Sequence, residues 1–234
     1  MGKIEYRPMG EDFILPVCPQ ILLNGPLDRG DPISFKGFVG DCPEENYDFF
    51  RSFVESGKTC AVLAWDGFLL VGAITFYPQK ILKPRMAKVY GTDDYPEDLW
   101  RGLASDSFTV VVGCVTIAKG YRGMGIARGL AEEMIKQARK DGWRRILVTG
   151  VQTEVVGYNH RLALPFWESL GFKIIRVNDR VSLFPTWASR MKEEIMRKHE
   201  MGEYLVEGID FSFLLKNMGW NGILATYDLE LRIG

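Results

Sequence analysis

From Ile126 to Lys140 the apolar residues recur at helical spacing. Ile126, Leu130, Met134 and Ala138 form one row, and Ala127, Ala131 and Ile135 form the row beside it. Two adjacent rows make a stripe wide enough to cover a core, so the pattern predicts a helix from Met124 or Gly125 to Lys140. Arg139 and Lys140 suit its carboxyl end, and Gly142 follows as a stop. Just upstream, Phe108 to Ile117 is almost wholly apolar, the pattern of a central strand covered on both faces. Arg145 to Val151 reads as the strand after the helix.

The same reading extends outward. Pro43-Glu44-Glu45 opens a helix with Asp41 as its cap; Tyr47, Phe50 and Val54 keep its apolar row, Phe49 and Phe53 flank it, and Gly57 ends it. Thr59 to Trp65 and Phe68 to Phe76 are strands separated by Asp66-Gly67, a strong hairpin signal. Leu162, Phe166 and Leu170 repeat at helical spacing. Pro165 places the start of that helix near Arg161 to Leu164, and Gly171 closes it. Phe172 to Val177 and Thr226 to Arg232 are further strands, the last with Tyr227, Leu229 and Leu231 alternating against charged neighbours. Helices are predicted near Glu97 to Leu103 and over Thr186 to His199 and Asp210 to Asn217. Residues 1–45 carry many prolines and glycines and predict one extended segment, Phe13 to Val17, among loops.

Composition narrows the function classes. Lys plus Arg is 29 and Asp plus Glu is 30, a net charge of −1, which gives no support to nucleic-acid or anionic-membrane binding. No apolar run reaches membrane-spanning length, and Met1 to Gly10 is too polar for a secretory leader, so a soluble, cytoplasmic protein is expected. Cys18, Cys42, Cys60 and Cys114 form no C-x-x-C pair and only His160 and His199 accompany them; neither a metal site nor a disulfide framework is expected. Cys114 reads as a small core residue rather than a nucleophile, and His160 as a helix-start residue.

The chemistry lies between the central strand and the long helix. Lys119-Gly120-Tyr121-Arg122-Gly123-Met124-Gly125 is a glycine-rich turn feeding a helix start, where unsatisfied backbone N–H groups attract phosphate. A dinucleotide fold would need G-x-G-x-x-G and an acid ending the next strand, and a P-loop would need Gly-Lys-Ser/Thr. Neither pattern is present. The plain alternative is a turn that only joins strand to helix.

Arg122-Gly123-Met124-Gly125-Ile126-Ala127 resembles the Arg/Gln-x-x-Gly-x-Gly/Ala turn of the GNAT superfamily of acyl-CoA-dependent N-acyltransferases. Leu164-Pro165-Phe166-Trp167-Glu168-Ser169-Leu170-Gly171-Phe172 resembles that family's later Phe-Tyr-Glu-Lys-Leu-Gly-Phe signature. The resemblance implies an α/β, GNAT-like fold: a mixed, twisted sheet flanked by helices and split near the central strand. It implies a loop-rich extension over 1–40, an acetyl-CoA-binding domain over 41–180, and a C-terminal extension over 181–234 that packs on the same domain. The implied reaction is acetyl transfer from acetyl-CoA to an amine by direct attack in a ternary complex, without metal; a homodimer is a family-level expectation.

The resemblance also assigns roles. The backbone of Val115, Thr116 and Ile117 lies along the pantetheine arm, and the Ile117 N–H faces the thioester carbonyl. Arg122, Gly123, Met124, Gly125, Ile126 and Ala127 hold the pyrophosphate, and Asn159 and Phe166 lie near the pantetheine and thiol. The chain departs from the family at Trp167, where a Tyr is the common general acid, and in having no Glu on its central strand. Tyr158 is then the candidate acid, and Glu154, with Asp106 second, the candidate base. A catalytically inactive acyl-CoA-binding or regulatory module and a transferase for a longer acyl chain are the alternatives. Trp187, Phe211, Phe213, Trp220 and Tyr227 are expected in a core or interface, or in the wall of an acceptor pocket.

Overall fold

The computed structural model describes residues 2–16, 19–24, 43–79, 107–151, 163–182 and 223–234. Their strands are β1 (Ile4–Pro8), β2 (Ala61–Asp66), β3 (Leu69–Pro78), β4 (Thr109–Ile117), β5 (Arg145–Val151), β6 (Lys173–Ser182) and β7 (Ile223–Arg232). Their helices are α1 (Pro19–Asn24), α2 (Pro43–Glu55), α3 (Ile126–Lys140) and α4 (Leu164–Glu168). Hydrogen-bonded neighbours follow the order β1-β2-β3-β4-β5-β7-β6, a mixed sheet of seven strands. The chain divides into two compact units: Met1–Thr92 with Gly102–Val148 and Glu230–Gly234, and Asp93–Arg101 with Thr149–Leu229.

In the first unit β1 to β4 pair antiparallel in sequence order, and β4 then pairs parallel with β5. A parallel pair needs a crossover, and α3 supplies it. The two predicted apolar rows are the buried face of α3: Ile126, Leu130, Met134 and Ala138 are buried, as are Ala131 and Ile135. That face packs on β1, β2 and β3. On α2 the buried residues are Phe49, Phe50 and Phe53, whereas Tyr47 is exposed and Val54 half-buried. The apolar face is therefore turned from the expected Tyr47–Phe50–Val54 row, because the three Phe rings and Tyr77 of β3 form an edge-packed cluster.

The β2–β3 hairpin forms where expected, shifted by one residue: Asp66 pairs with Leu69, so Gly67 and Phe68 make the two-residue loop. The N-terminal segment departs further from expectation. The strand is Ile4–Pro8, paired with β2; of the expected segment Phe13 to Val17, the described residues 13–16 form no named strand, and Val17 lies outside the described residues. Phe13 makes an isolated bridge to Gly10 and sets its ring edge-on to Trp65 at 5.1 Å. Pro19–Asn24, expected as loop, is helical.

The approach of α3 to the sheet is close enough to require glycine. A Cβ on Gly72 would lie 3.2 Å from both Ile126 and Leu130 side chains. A Cβ on Gly129 would collide with the ring of Tyr6 on β1. Overpacking costs about 1–3 kcal/mol, partly offset by roughly 0.8 kcal/mol of helix propensity gained on leaving glycine. Gly129→Leu is therefore expected to lower the thermal midpoint by a few degrees, and Tyr6→Ala in the same chain to recover part of the loss. A Gly129→Leu midpoint at or above that of the wild type would refute this packing.

In the second unit α4 is short, with Pro165 in its first turn. Its Trp167 is 1% exposed and meets Phe166 and Phe172 edge-on at 5.0 and 5.2 Å. β6 runs on to Ser182, past the expected end at Val177, and β7 begins at Ile223 rather than Thr226. The expected alternation of β7 is corrected at Asp228, which is buried rather than outward-facing. It is compensated there: Arg176 Nε donates to its carboxylate at 2.7 Å and Thr149 Oγ1 at 3.2 Å.

Candidate active site

The ladder between β4 and β5 has three pairs, from Thr109–Arg145 to Val111–Leu147. β4 continues to Ile117 along β3. In that continuation the register shifts: Thr75 faces Cys114, but Phe76 faces Val112, so Gly113 is bulged out. Thr75 Oγ1 accepts the Cys114 N–H at 3.0 Å, and the Tyr77 ring fills the place a Cβ on Gly113 would take. The bulge bends β4 at the point where its ladder with β5 has ended.

Beyond the bulge the strand alternates. Cys114 and Thr116 are buried, with Sγ and Oγ1 3.0 Å apart. Val115 and Ile117 are half-buried. Ala118 donates its N–H to Val71 O at 2.9 Å, and Ala118 lies opposite Val71 by the register. Antiparallel pairs alternate between bonded and non-bonded. The N–H groups of Val115 and Ile117 are thereby directed to the edge of β4 away from β3, the edge that β5 pairs with earlier in the strand.

The glycine turn follows at once. Lys119–Tyr121 form one 3-10 turn, Arg122 is extended at φ −69° and ψ 151°, and Gly125 caps α3 in the left-handed region at φ 77° and ψ 2°. Gly123 also has φ 77°. Left-handed backbone costs other residues about 1–2 kcal/mol each, so this turn demands glycine at both positions. Among the described residues, a Cβ on Gly123 or Gly125 would meet nothing within 4 Å.

Ile126 is 1% exposed and anchors the first turn of α3 in the core, while Met124 stays exposed. Arg128 and Gly129 already donate their N–H groups to Gly125 O. Those of Gly125, Ile126 and Ala127 precede any helical acceptor. They share the helix end with roughly half a positive charge from the dipole. A helix start of this kind can take an anion through backbone groups alone. The Arg122 side chain is exposed, and its Nε lies 3.5 Å from Ile117 O, at the limit of hydrogen bonding.

Val115, Thr116, Ile117 and the residues from Arg122 to Ala127 all lie in the first unit, at the end of β4 and the turn into α3, with Thr116 and Ile126 buried. Phe166 is half-buried in the second unit. Glu154, Tyr158, Asn159 and Asp106 lie outside the described residues, as do Cys18, Cys42, His160, His199, Trp187, Phe211, Phe213, Trp220 and the helices expected over 97–103, 186–199 and 210–217. Trp167 is enclosed, and among the described residues its Nε1 has no hydrogen-bond partner. Cys114 is a buried strand residue, and burial pushes the Cys60 thiol far above its ordinary range. Among the described residues no group of His, Cys, Asp or Glu has the arrangement of a metal site, and no helix is long and apolar enough to cross a membrane.

Two features of this region escape the sequence. The Gly113 bulge has a signal, a glycine inside an apolar strand. The hydrogen bond from Tyr121 Oη to Asp66 Oδ2, at 3.0 Å, has none. It joins residues 55 positions apart in the chain.

A model of the acetyltransferase (GNAT) family matches residues 32–172. Solved structures share the fold over nearly the whole chain. An acetyltransferase of the GNAT family from Streptococcus pneumoniae is 15% identical, with a TM-score of 0.54, covering 99% of this chain and 100% of that one. yncA of Salmonella typhimurium, solved with its cofactor acetyl-CoA, is 11% identical, with a TM-score of 0.53, covering 100% and 95%. An N-acetyltransferase from Staphylococcus aureus is 11% identical, with a TM-score of 0.52 and full coverage of both chains. No protein of curated function matches the sequence.

Proposed function

The chain belongs to the acetyltransferase (GNAT) family, and from that premise we propose that it is an N-acetyltransferase that carries acetyl from acetyl-CoA to the amine of an acceptor. The observation that carries the reading is the backbone cradle. Two left-handed glycines, with nothing among the described residues within 4 Å of where a Cβ would stand, lie beside three N–H groups at the start of a 15-residue helix, shortly after the central strand. A pyrophosphate fits that donor set, because its oxygens need N–H donors and close backbone approach rather than side chains.

Acetyl-CoA supplies an acetyl thioester whose carbonyl carbon an amine can attack directly, so the protein needs no covalent intermediate. The work left to the chain is placement and proton transfer. Gly125, Ile126 and Ala127 donate to the pyrophosphate, with Arg122, Gly123 and Met124 completing the turn. The backbone of Val115, Thr116 and Ile117 lines the pantetheine, and the Ile117 N–H is aimed at the thioester oxygen, where negative charge develops. Asn159 and Phe166 serve the thiol end. Glu154 takes a proton from the acceptor's ammonium so that the neutral amine attacks, the C–S bond breaks as the tetrahedral intermediate collapses, and Tyr158 gives a proton to the departing sulfur.

Calorimetry with acetyl-CoA, followed by thiol release across a panel of amines, tests the reading. Saturable binding and release with at least one amine are expected. Absence of binding would refute the donor site. Binding without release across the panel would favour the inactive, regulatory alternative, which draws support from the enclosed indole of Trp167 at the family's usual acid position.

The base assignment has its own test. Glu154→Gln is expected to lower kcat by about 10²-fold or more, with the KM for acetyl-CoA unchanged. A base must be deprotonated to act, so the limb of the rate profile that rises with pH should shift to the ionisation of the amine itself. An unchanged profile would remove Glu154 from the mechanism.

A further inference from the structure

We propose that Asp66 and Tyr121 are positioning residues for the donor site: the carboxylate at the β2–β3 hairpin holds the tyrosine that sets the glycine turn for coenzyme A pyrophosphate. The inference rests on the assignment of that turn as the donor site.

The turn has little of its own to hold it. Its two left-handed glycines carry no side chains. Neither Gly125, which caps α3, nor Ala118, which caps the 3-10 turn, makes a side-chain capping bond. Glycine also has the most conformational freedom to lose when a ligand fixes it. A turn left to itself therefore charges its ordering cost against binding.

Tyr121 addresses this from one end. It closes the 3-10 turn, donating its N–H to Ala118 O at 2.9 Å, and its backbone leads directly into Arg122 and Gly123. Ala118 is in turn tied to Val71 O on β3. The Tyr121 hydroxyl donates to Asp66 Oδ2 at 3.0 Å. Asp66 is itself fixed: it is the last residue of β2, pairs with Leu69 across the tight loop, and its Oδ1 accepts the Gly2 N–H at 3.1 Å. The paired end of the hairpin thus reaches across to Tyr121, two residues before the first left-handed glycine.

The charges are compatible with this role. A lone carboxylate beside an anion cradle would oppose phosphate, but each Asp66 oxygen is engaged by a donor. The bond raises the Tyr121 phenol above its ordinary pKa, Asp66 being the first cause, so the phenol stays a donor at neutral pH.

The test compares two donors, acetyl-CoA and acetyl-pantetheine, the second lacking the pyrophosphate. Tyr121→Phe removes the hydroxyl and keeps the ring. It is expected to raise the KM for acetyl-CoA about five- to tenfold, to leave kcat within about twofold, and to leave the KM for acetyl-pantetheine unchanged. Asp66→Asn, which keeps the shape, should act in the same direction. The double variant should be no worse than the worse single one, as for two members of one link. An unchanged acetyl-CoA KM in Tyr121→Phe would overturn the inference, and so would equal losses with both donors, which mark general loosening. Failure of the wild-type protein to bind acetyl-CoA is a separate result. It would overturn the donor-site reading first, and this inference with it.

Discussion

Gly125→Val is expected to lower acetyl-CoA affinity by about 10²-fold or more while the protein still folds. Two effects coincide at this position. Gly125 has φ 77°, where a β-branched residue is strained by about 1–2 kcal/mol. Its Cβ would also point into space that holds no atom of the described residues within 4 Å, the space proposed for the pyrophosphate. The strain alone should cost only a few degrees of thermal midpoint in a chain of 234 residues. The affinity loss is larger because it removes charge-assisted hydrogen bonds, each worth roughly 1.5–3 kcal/mol. Calorimetry reads the affinity and thermal unfolding reads the strain. Acetyl-pantetheine separates the two again, since its KM should hardly change. Unchanged acetyl-CoA affinity, or equal losses for both donors, would show that the turn is not a phosphate site.

The same stretch shows how far a sequence can be read. β4, the turn and α3 are legible because each has a strong local signal: an unbroken apolar run, paired glycines, and two apolar rows at i, i+4. What escapes is set by partners far along the chain. β1 has five residues, two of them Glu5 and Arg7, and takes its conformation from pairing with β2 rather than from its own pattern. Asp228 looks like an outward charge on an alternating strand. Arg176 and Thr149, 52 and 79 positions away, hold it there with hydrogen bonds. Asp66 reads as an ordinary turn residue, and its second partner, Tyr121, is visible only once the hairpin is folded. Backbone features such as the glycine turn survive this limit well, since they depend on local conformation. Side-chain links do not.

Trp167 places these two kinds of information in conflict. The family signature puts a proton donor at its position, yet the residue is an indole, 1% exposed and wedged between Phe166 and Phe172. Its Nε1 makes no hydrogen bond to the described residues. Packing, not proton transfer, is then its contribution. Trp167→Ala should cost about 3–5 kcal/mol, the range for emptying a buried aromatic site. At about 2–4 °C per kcal/mol for a chain of this size, the thermal midpoint should fall by roughly 6–20 °C. Trp167→Phe leaves a smaller void and breaks no hydrogen bond, so it should lose only a fraction of that stability. Its kcat should match the wild type, with the same pH profile, because no proton moves through this residue. Tenfold loss of kcat in Trp167→Phe at an unchanged midpoint would restore a catalytic role to the position. A small midpoint shift in Trp167→Ala would show that the indole is not the centre of its core.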